Sequence, residues 1–216
     1  MISTIFFDFD GVVLDSVDVK TKAFMHLYSE FGEKIVSAVK KHHLENGGMS
    51  RYEKFSFYHK NYLGIEISEA EINSLAENFS TLVVQKVIES DPIPGSLDFV
   101  DKYYNLYDMF IVSGTPQKEI RQIANSLQLT NKMKGIFGSP KKKEIHVEDI
   151  IRLNNYNRSD CLFIGDAKAD YTAALVNDTR FLLIENDVNS KLFLGVNGIH
   201  RASDLINLQD IILEQL

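Results

Sequence analysis

Two aspartates near the end of a short apolar run are the residues of this sequence best placed to do chemistry. Asp8 and Asp10 lie at the end of residues 4–9, whose β-branched and aromatic side chains predict a buried strand. Ligands bind at the carboxyl ends of parallel strands. Because side chains alternate along a strand, both carboxylates leave the chain on the same side and repel each other unless a cation or a proton lies between them. The pattern predicts a catalytic edge, and the alternative is an ordinary polar turn.

A second polar strand end follows the apolar residues 109–112, at Ser113 and Gly114. Thr115 suits a helix N-cap and Pro116 suits the first helical position, so we expect a helix to begin here. The free backbone N–H groups of a helix start attract anions, and the Ser113 hydroxyl with the Gly114 N–H would hold a phosphate. The alternative is a strand-to-helix turn that binds nothing.

A third strand end repeats the design of the first. Asp166 follows the apolar residues 162–164 directly, and Asp170 falls in the first turn of a helix predicted over residues 168–176. Carboxylate oxygens of this kind suit Mg²⁺, which keeps several waters and takes few protein carboxylates. For Asp170 the alternative is a solvated acid that stabilises the start of the helix.

Three consecutive lysines, Lys141, Lys142 and Lys143, precede a helix predicted over residues 143–154. Positive charge at the start of a helix opposes its dipole, so a nearby anionic group would explain the run. Lys143 is preferred over its neighbours by its spacing from Pro140. The alternative is that every lysine in the run is solvated.

The elements that must position these residues fall into two groups. Residues 16–90 carry apolar side chains at helical spacing, with Ser50 and Ser68 each opening a capping box, and a Pro and Gly cluster ends this block at residues 91–95. From there strands alternate with helices, the last of which is predicted to begin at residue 205. This alternation predicts an α/β fold with a Rossmann-like parallel sheet and helices on both faces. We therefore expect a core of residues 1–15 and 91–216, and an inserted helical cap of residues 16–90 that closes over the strand ends.

Composition narrows the classes of partner. The chain has 216 residues, a net charge of −7 and no basic stripe interleaved with aromatic residues, so neither nucleic acid nor an anionic membrane is an expected partner. The single cysteine, Cys161, opens an apolar run and reads as a buried side chain, which fits the reducing cytoplasm. No stretch is typical of a signal peptide or a membrane span. The sequence is compatible with a monomer and does not determine the oligomeric state.

Four motifs of the chain resemble, in order, those of the haloacid dehalogenase (HAD) superfamily: Asp8-Phe9-Asp10-Gly11-Val12, Ser113-Gly114-Thr115, a lysine near Lys143, and Gly165-Asp166 with Asp170. The resemblance covers essentially the whole chain. The helical block after the first motif is similar to the C1-capped branch, which includes phosphoglycolate phosphatase and β-phosphoglucomutase. Many members of that branch carry Gly-Lys-Pro where this chain has Gly138-Ser139-Pro140, so the choice among the three lysines stays open.

The resemblance implies a Mg²⁺-dependent phosphatase that hydrolyses a small phosphate monoester through an aspartyl-phosphate intermediate. Asp8 would attack phosphorus, and Asp10 would protonate the leaving oxygen and later take a proton from water. The groups that bind the phosphoryl oxygens would be Ser113, Gly114 and Lys143. The implied Mg²⁺ ligands are Asp8, the main-chain carbonyl of Asp10, Asp166 and Asp170.

Several related activities remain alternatives. A phosphosugar mutase resembles the phosphatase in every core residue and differs in whether water or substrate takes the phosphoryl group. A phosphonoacetaldehyde hydrolase would need a cap lysine that forms a Schiff base, and the sequence does not single out one of Lys20, Lys22 and Lys54. Dehalogenases lack the second aspartate. A non-catalytic phosphate-binding module would be expected to have lost Asp8, Asp10 or Asp166, and all three are present.

The expected substrate is a small phosphorylated metabolite, and its identity depends on the cap. Residues 48–51, Gly-Met-Ser-Arg, resemble the specificity loop of C1-capped relatives. Arg51 would pair with an anionic group of the substrate. The alternative is a surface arginine in the first turn of a helix.

Overall fold

The sheet of the computed structural model, which describes residues 1–214 and residue 216, confirms the predicted α/β class. Its strands are β1 (Thr4–Phe7), β2 (Asp108–Pro116), β3 (Gly135–Ser139), β4 (Cys161–Gly165), β5 (Arg180–Ile184) and β6 (His200–Ala202). In the described residues all neighbours pair in parallel, in the order β3-β2-β1-β4-β5-β6. Strands β2 and β3 lie on one side of β1, and β4 to β6 lie on the other. The strand order therefore reverses beside β1, and open α/β sheets bind ligands at such a point.

Helices cover both faces of the sheet and also form an insertion. They are α1 (Val17–Leu27), α2 (Glu33–Glu45), α3 (Arg51–Tyr58), α4 (Glu69–Ile88), α5 (Ser96–Tyr103), α6 (Gln117–Ser126), α7 (Lys143–Asn154), α8 (Lys168–Val176) and α9 (Leu208–Glu214). Helices α1 to α4, called the cap below, pack around the aromatic rings of Phe24, Phe55 and Phe79. The rest of the chain is called the core. In the described residues every helix is too short or too polar to cross a membrane.

Alternation along β1 places its side chains in two packed layers. Phe6 stacks between Phe110 and Phe163, with 5.6 and 6.2 Å between ring centroids. Phe7 points to the other face, where its ring centroid lies 6.4 Å from that of Phe99. All these rings are buried, so both faces of β1 are covered and the strand reads as a continuous apolar run. The first charged residue after this apolar strand is Asp8, which directly follows the end of β1.

The cap leaves and re-enters the core through two neighbouring segments. The Asp15 N–H donates to the Asp91 carbonyl at 2.9 Å, and the Ile93 N–H donates to the Val13 carbonyl at 3.0 Å. An antiparallel bridge joins Leu14 to Pro92 between these bonds. The two crossings are therefore tied to each other, while the exact domain boundaries and the hinge remain predictions.

Three local predictions differ from the structure or fall short of it. Strand β2 continues through Pro116 and α6 begins at Gln117, so Thr115 is not an N-cap. The Thr115 hydroxyl is instead engaged with the site, as described below. Strand β6 was not predicted, because its three residues lack an apolar alternation. The last helix begins at Leu208, whereas the sequence predicted residue 205. Both predicted capping boxes are confirmed.

Candidate active site

Asp8 and Asp166 meet because β1 and β4 are adjacent in the sheet. The Asp8 N–H donates to the Ile164 carbonyl at 2.9 Å, which extends the strand pairing to the first residue of the site. Gly11 follows with φ +82, and a Cβ there would lie 2.4 Å from Oδ2 of Asp166. The glycine is thus required both by the left-handed backbone and by the close approach of Asp166.

Three carboxylates converge beyond these strand ends. Oxygens of Asp8, Asp166 and Asp170 lie within 4.8 Å of one another. Burial raises the pKa of Asp8 to about 7, and the nearby charge of Asp170 contributes to this rise. Burial, with the charges of Asp8 and Asp170, also holds the pKa of Asp166 well above its usual range. The cluster therefore favours binding of a cation or of protons.

Lys143 supplies one positive charge to this cluster. Its ammonium lies 2.7 Å from Oδ1 of Asp8 and 2.6 Å from Oδ1 of Asp170. Burial disfavours the charged lysine, but the two carboxylates outweigh burial and raise its pKa. Lys141 is exposed and pairs with Asp149, which lies outside the acidic cluster. Of these two lysines, only Lys143 contacts aspartates of the cluster.

Asp170 also stabilises the start of α8, as its alternative role required, but it is buried rather than solvated. Its Oδ2 accepts a hydrogen bond from the Ala167 N–H at 3.0 Å, which caps the start of α8. Gly165 leaves room for this arrangement, since a Cβ there would lie 2.2 Å from Cβ of Asp170. One carboxylate thus orders the helix start and joins the acidic cluster.

Asp10 has a separate set of partners that the sequence did not reveal. Ser16 donates to its Oδ1 at 2.6 Å, Thr115 donates to its Oδ2 at 3.2 Å, and Lys20 forms an ion pair with it. The Lys20 ammonium also donates to the Thr115 hydroxyl at 2.6 Å. Burial opposes ionisation of Asp10, but Lys20 and these hydrogen bonds lower its pKa below the usual value. The four-residue spacing of Ser16 and Lys20 was the available signal, since it puts both on one side of the helix.

Ser113 and Gly114 lie between the core and the cap. Ser113 is buried, and its Oγ accepts the Thr115 N–H at 3.1 Å. A Cβ on Gly114 would lie 2.5 Å from the carbonyl oxygen of Gly48, and Gly48 in turn lies beside Lys143. The glycine pair at residues 47–48 of the cap therefore reaches the strand ends of the core.

Residues 5–184 match the family model of the haloacid dehalogenase-like hydrolases. The chain belongs to this family. No curated protein sequence matches this HAD hydrolase.

Solved structures share the fold at low sequence identity. A haloacid dehalogenase-like hydrolase from Streptococcus pneumoniae is 18% identical, with a TM-score of 0.73 and 98% of each chain covered. β-Phosphoglucomutase from Clostridium difficile is 21% identical, with a TM-score of 0.76, 99% of this chain and 96% of that one. A HAD-hydrolase from Bacillus subtilis that is bound to magnesium is 20% identical, with a TM-score of 0.69, 98% of this chain and 99% of that one.

The donor set of this HAD hydrolase fits Mg²⁺. Asp8, Asp166 and Asp170 offer oxygen atoms, which hard divalent cations prefer, and burial together with the neighbouring carboxylates raises the pKa of both Asp8 and Asp166. The carboxylate of Asp10 is turned to Lys20 and lies outside this group, which leaves its main-chain carbonyl as its predicted ligand atom.

A cavity of about 570 Å³ lies between the strand ends and the cap. Core residues of its wall include Asp8, Asp10 and Asp166, and the cap contributes Lys54 and His43. Ser113 and Lys143 line a neighbouring cavity of about 200 Å³. The larger cavity has room for a small organic molecule beside the aspartates.

Arg51 reaches the core but is already paired. Its guanidinium donates to both carboxylate oxygens of Glu119 on α6, with Nη1 3.0 Å from Oε2. Ser80 donates to the same Oε2 at 2.7 Å, and the ring of Phe79 lies 4.4 Å below the guanidinium. The surface-arginine alternative is wrong, because Arg51 is 5% exposed. Glu119 was missed since nothing near it in sequence marks a partner 68 residues away.

Proposed function

We propose that this HAD hydrolase is a Mg²⁺-dependent phosphatase that acts on a small phosphate monoester through an aspartyl-phosphate intermediate. The observation that carries the proposal is that two aspartates at the end of one strand have different partners. Asp8 belongs to the acidic cluster with Lys143, whereas Asp10 is held apart by Lys20, Ser16 and Thr115. A nucleophile and an acid–base group need such different surroundings.

In the first step an oxygen of Asp8 forms a bond to phosphorus, and the bond between phosphorus and the ester oxygen breaks. Lys143 holds Asp8 in place at 2.7 Å. Asp10 gives a proton to the leaving oxygen; the charge of the entering phosphate offsets the effect of Lys20 and raises the pKa of Asp10 toward the value that an acid needs.

In the second step a water oxygen forms a bond to the phosphorus of the aspartyl-phosphate and Asp10 takes a proton from that water. The bond between phosphorus and the Asp8 oxygen breaks, which releases inorganic phosphate and restores the Asp8 carboxylate. The ion pair with Lys20 favours the carboxylate form of Asp10, which is the form that accepts a proton. The cap excludes bulk water during this exchange, and the contact of Gly48 with Gly114 is where it would close on the phosphoryl end.

The phosphoryl oxygens would be bound by the Ser113 hydroxyl, the Gly114 N–H and Lys143. Mg²⁺, when bound by Asp8, Asp166, Asp170 and the Asp10 carbonyl, would offset the repulsion between the Asp8 carboxylate and a phosphate dianion. Arg51 would act on the substrate from the cap, although its present partner is Glu119.

Hydrolysis of p-nitrophenyl phosphate tests this proposal. We expect turnover with Mg²⁺ and its loss in EDTA. No hydrolysis with Mg²⁺, or equal hydrolysis in EDTA, would contradict a metal-dependent phosphatase. A phosphosugar mutase would instead convert one phosphosugar isomer into another with little release of inorganic phosphate, so phosphate release is measured alongside.

A further inference from the structure

Four cationic side chains around the site are buried, and they differ in whether a carboxylate pairs with them. The four are Lys20, Arg51, Lys54 and Lys143. Three of them have a carboxylate partner: Lys143 pairs with Asp8 and Asp170, Lys20 with Asp10, and Arg51 with Glu119. In the part of the chain that the structure describes, no carboxylate lies within 4.0 Å of the Lys54 ammonium. Lys54 is therefore the exception, although only 2% of it is exposed.

Neither close neighbour of Lys54 is an acid, and the more distant carboxylates of Asp10, Asp166 and Glu53 offset the effect of burial only in part. Its Nζ lies 2.9 Å from Nδ1 of His43 and 5.5 Å from the centre of the Phe24 ring. Burial, followed by the charge of Lys20, lowers the pKa of Lys54 to about 7. Burial and Lys54 in turn hold the pKa of His43 well below its usual range, so the histidine stays neutral. A neutral ring accepts at most one hydrogen bond from the three that an ammonium donates.

His43 adds a second unsatisfied group. Its Nε2 is buried and has no hydrogen bond of standard geometry within the described residues, although the Val17 carbonyl lies close enough to the ring to act against the fall in its pKa. If Nδ1 accepts from Lys54, Nε2 carries the proton, so the pair as a whole has more donors than acceptors. Buried donors without acceptors are costly, and such costs are tolerated where a ligand supplies the acceptor.

Both residues belong to the wall of the 570 Å³ cavity, which also holds Asp8. They lie on cap helices α2 and α3, whereas Asp8 follows core strand β1. If the phosphoryl group lies at Asp8, the remainder of the substrate extends into the cavity toward the cap.

We propose that Lys54 and His43 form a subsite for an anionic group on the leaving-group half of the substrate. The natural substrate then carries a carboxylate or a second phosphate in addition to the ester that Asp8 attacks. The assignment rests on the proposed function, which fixes the phosphoryl end at Asp8. An anion keeps Lys54 charged and accepts its free N–H groups, and hydrogen bonds between two charged groups are stronger than neutral ones.

Non-hydrolysable ligands test the subsite without turnover. Propylphosphonate and 3-phosphonopropionate differ only in a terminal methyl or carboxylate, and 1,3-propanediphosphonate presents a second phosphonate instead. Their dissociation constants are measured by calorimetry with Mg²⁺ present. We expect at least one of the two ligands with a second anionic group, 3-phosphonopropionate or 1,3-propanediphosphonate, to bind the native enzyme at least about tenfold more tightly than propylphosphonate. Whichever ligand is preferred identifies the second group as carboxylate or phosphate.

Variants then assign the preference to Lys54. The preference is expressed as the dissociation constant of propylphosphonate divided by that of the preferred anionic ligand. In Lys54→Met this ratio should fall to near one, and Lys54→Arg should retain most of it. Lys22→Met is the matched control, because Lys22 is an exposed cap lysine that pairs with Asp18. Its ratio should equal that of the native enzyme.

Equal binding of all three ligands by the native enzyme, or binding of none, would overturn the subsite. A Lys54→Met variant that keeps the preference would also overturn the subsite. So would a variant that weakens the binding of all three ligands by the same factor, because Lys54 would then act only through folding. Hydrolysis of p-nitrophenyl phosphate is measured on the same preparations. Its absence with the ligand preference intact would reject the phosphatase and leave the subsite standing.

Discussion

The strand ends of the core and the inner side of the cap both bury charged groups, but they hold them differently. At the strand ends Asp8, Asp166 and Asp170 lie together with one lysine, Lys143, which pairs with Asp8 and Asp170, so acids outnumber bases. In the cap Lys54 has no carboxylate partner among the described residues. The core is thus suited to a cation and a phosphoryl group, and the cap to whatever anionic group accompanies it. We therefore infer that the core carries the chemistry and the cap the selectivity.

The largest effect should come from the core. Asp8→Asn removes the proposed nucleophile, so we expect kcat on p-nitrophenyl phosphate to fall by at least about 10⁴-fold, as removal of a nucleophile does in other enzymes. Asp101→Asn is the control, since Asp101 is an exposed aspartate outside the cavity. An Asp8→Asn enzyme with native turnover would reject Asp8 as the nucleophile.

Asp10 should matter next. Asp10→Asn cannot exchange a proton, so kcat should fall by about 10²–10⁴-fold, the usual contribution of general acid–base catalysis. Circular dichroism and Tm establish that the variant is folded. Turnover at the native rate by folded Asp10→Asn would remove Asp10 from the mechanism.

The link between cap and core offers a test in stability. Arg51→Met leaves Glu119 buried without its partner, and breaking such a pair costs about 3–5 kcal/mol of the free energy of unfolding. The double variant Arg51→Met/Glu119→Met should recover much of this loss, because no charge is then left unpaired. Urea denaturation of both single variants and the double variant measures the coupling.

A further variant, Arg51→Ala, tests the substrate role of Arg51. If kcat/KM on the best substrate is unchanged in a folded Arg51→Ala enzyme, the cap loop does not use Arg51 for substrate binding. Additive losses in the stability cycle would show, separately, that the pair with Glu119 contributes no coupling.

The smallest predicted effect concerns metal and pH. Because the pKa of Asp8 is raised to about 7, the metal-free fold keeps a proton on Asp8 that Mg²⁺ must displace at lower pH. The stability from this raised pKa is full at low pH and is lost as pH rises through about 7. The increase in Tm on adding Mg²⁺ should therefore be larger near pH 8 than near pH 6. An Asp166→Asn variant should lose this increase, and an equal increase at both pH values would contradict the argument.

The core could be predicted well because strand ends in a parallel sheet converge whatever lies between them. Local patterns therefore sufficed to predict that Asp8, Asp166 and Asp170 come together, and the structure brings their carboxylates together. The bounds of α7 and α8 also match the prediction. Lys143 was chosen from spacing alone, and the structure brings its side chain to Asp8 and Asp170.

The cap could be predicted less well, since the partner of a cap residue depends on how helices pack. Arg51 and Lys54 lie three residues apart on α3, yet one meets Glu119 and the other meets His43. No local pattern distinguishes the two. Lys20 was missed as a partner of Asp10 for the same reason, because a helix and a strand end must first be brought together.

Because the two crossings at the base of the cap are paired, we expect the insertion to be modular. Because Leu14 and Pro92 are bridged neighbours, the ends of a long inserted loop already lie side by side. Each doubling of the length of a loop adds only about 0.6 kcal/mol to the cost of closing it, so the sheet would tolerate inserts of very different length at this point. A short turn joining Leu14 to Pro92 should preserve the strand order while removing the cap. The same junction would accept a cap grafted from another protein, which makes it a practical site for changing selectivity without rebuilding the sheet.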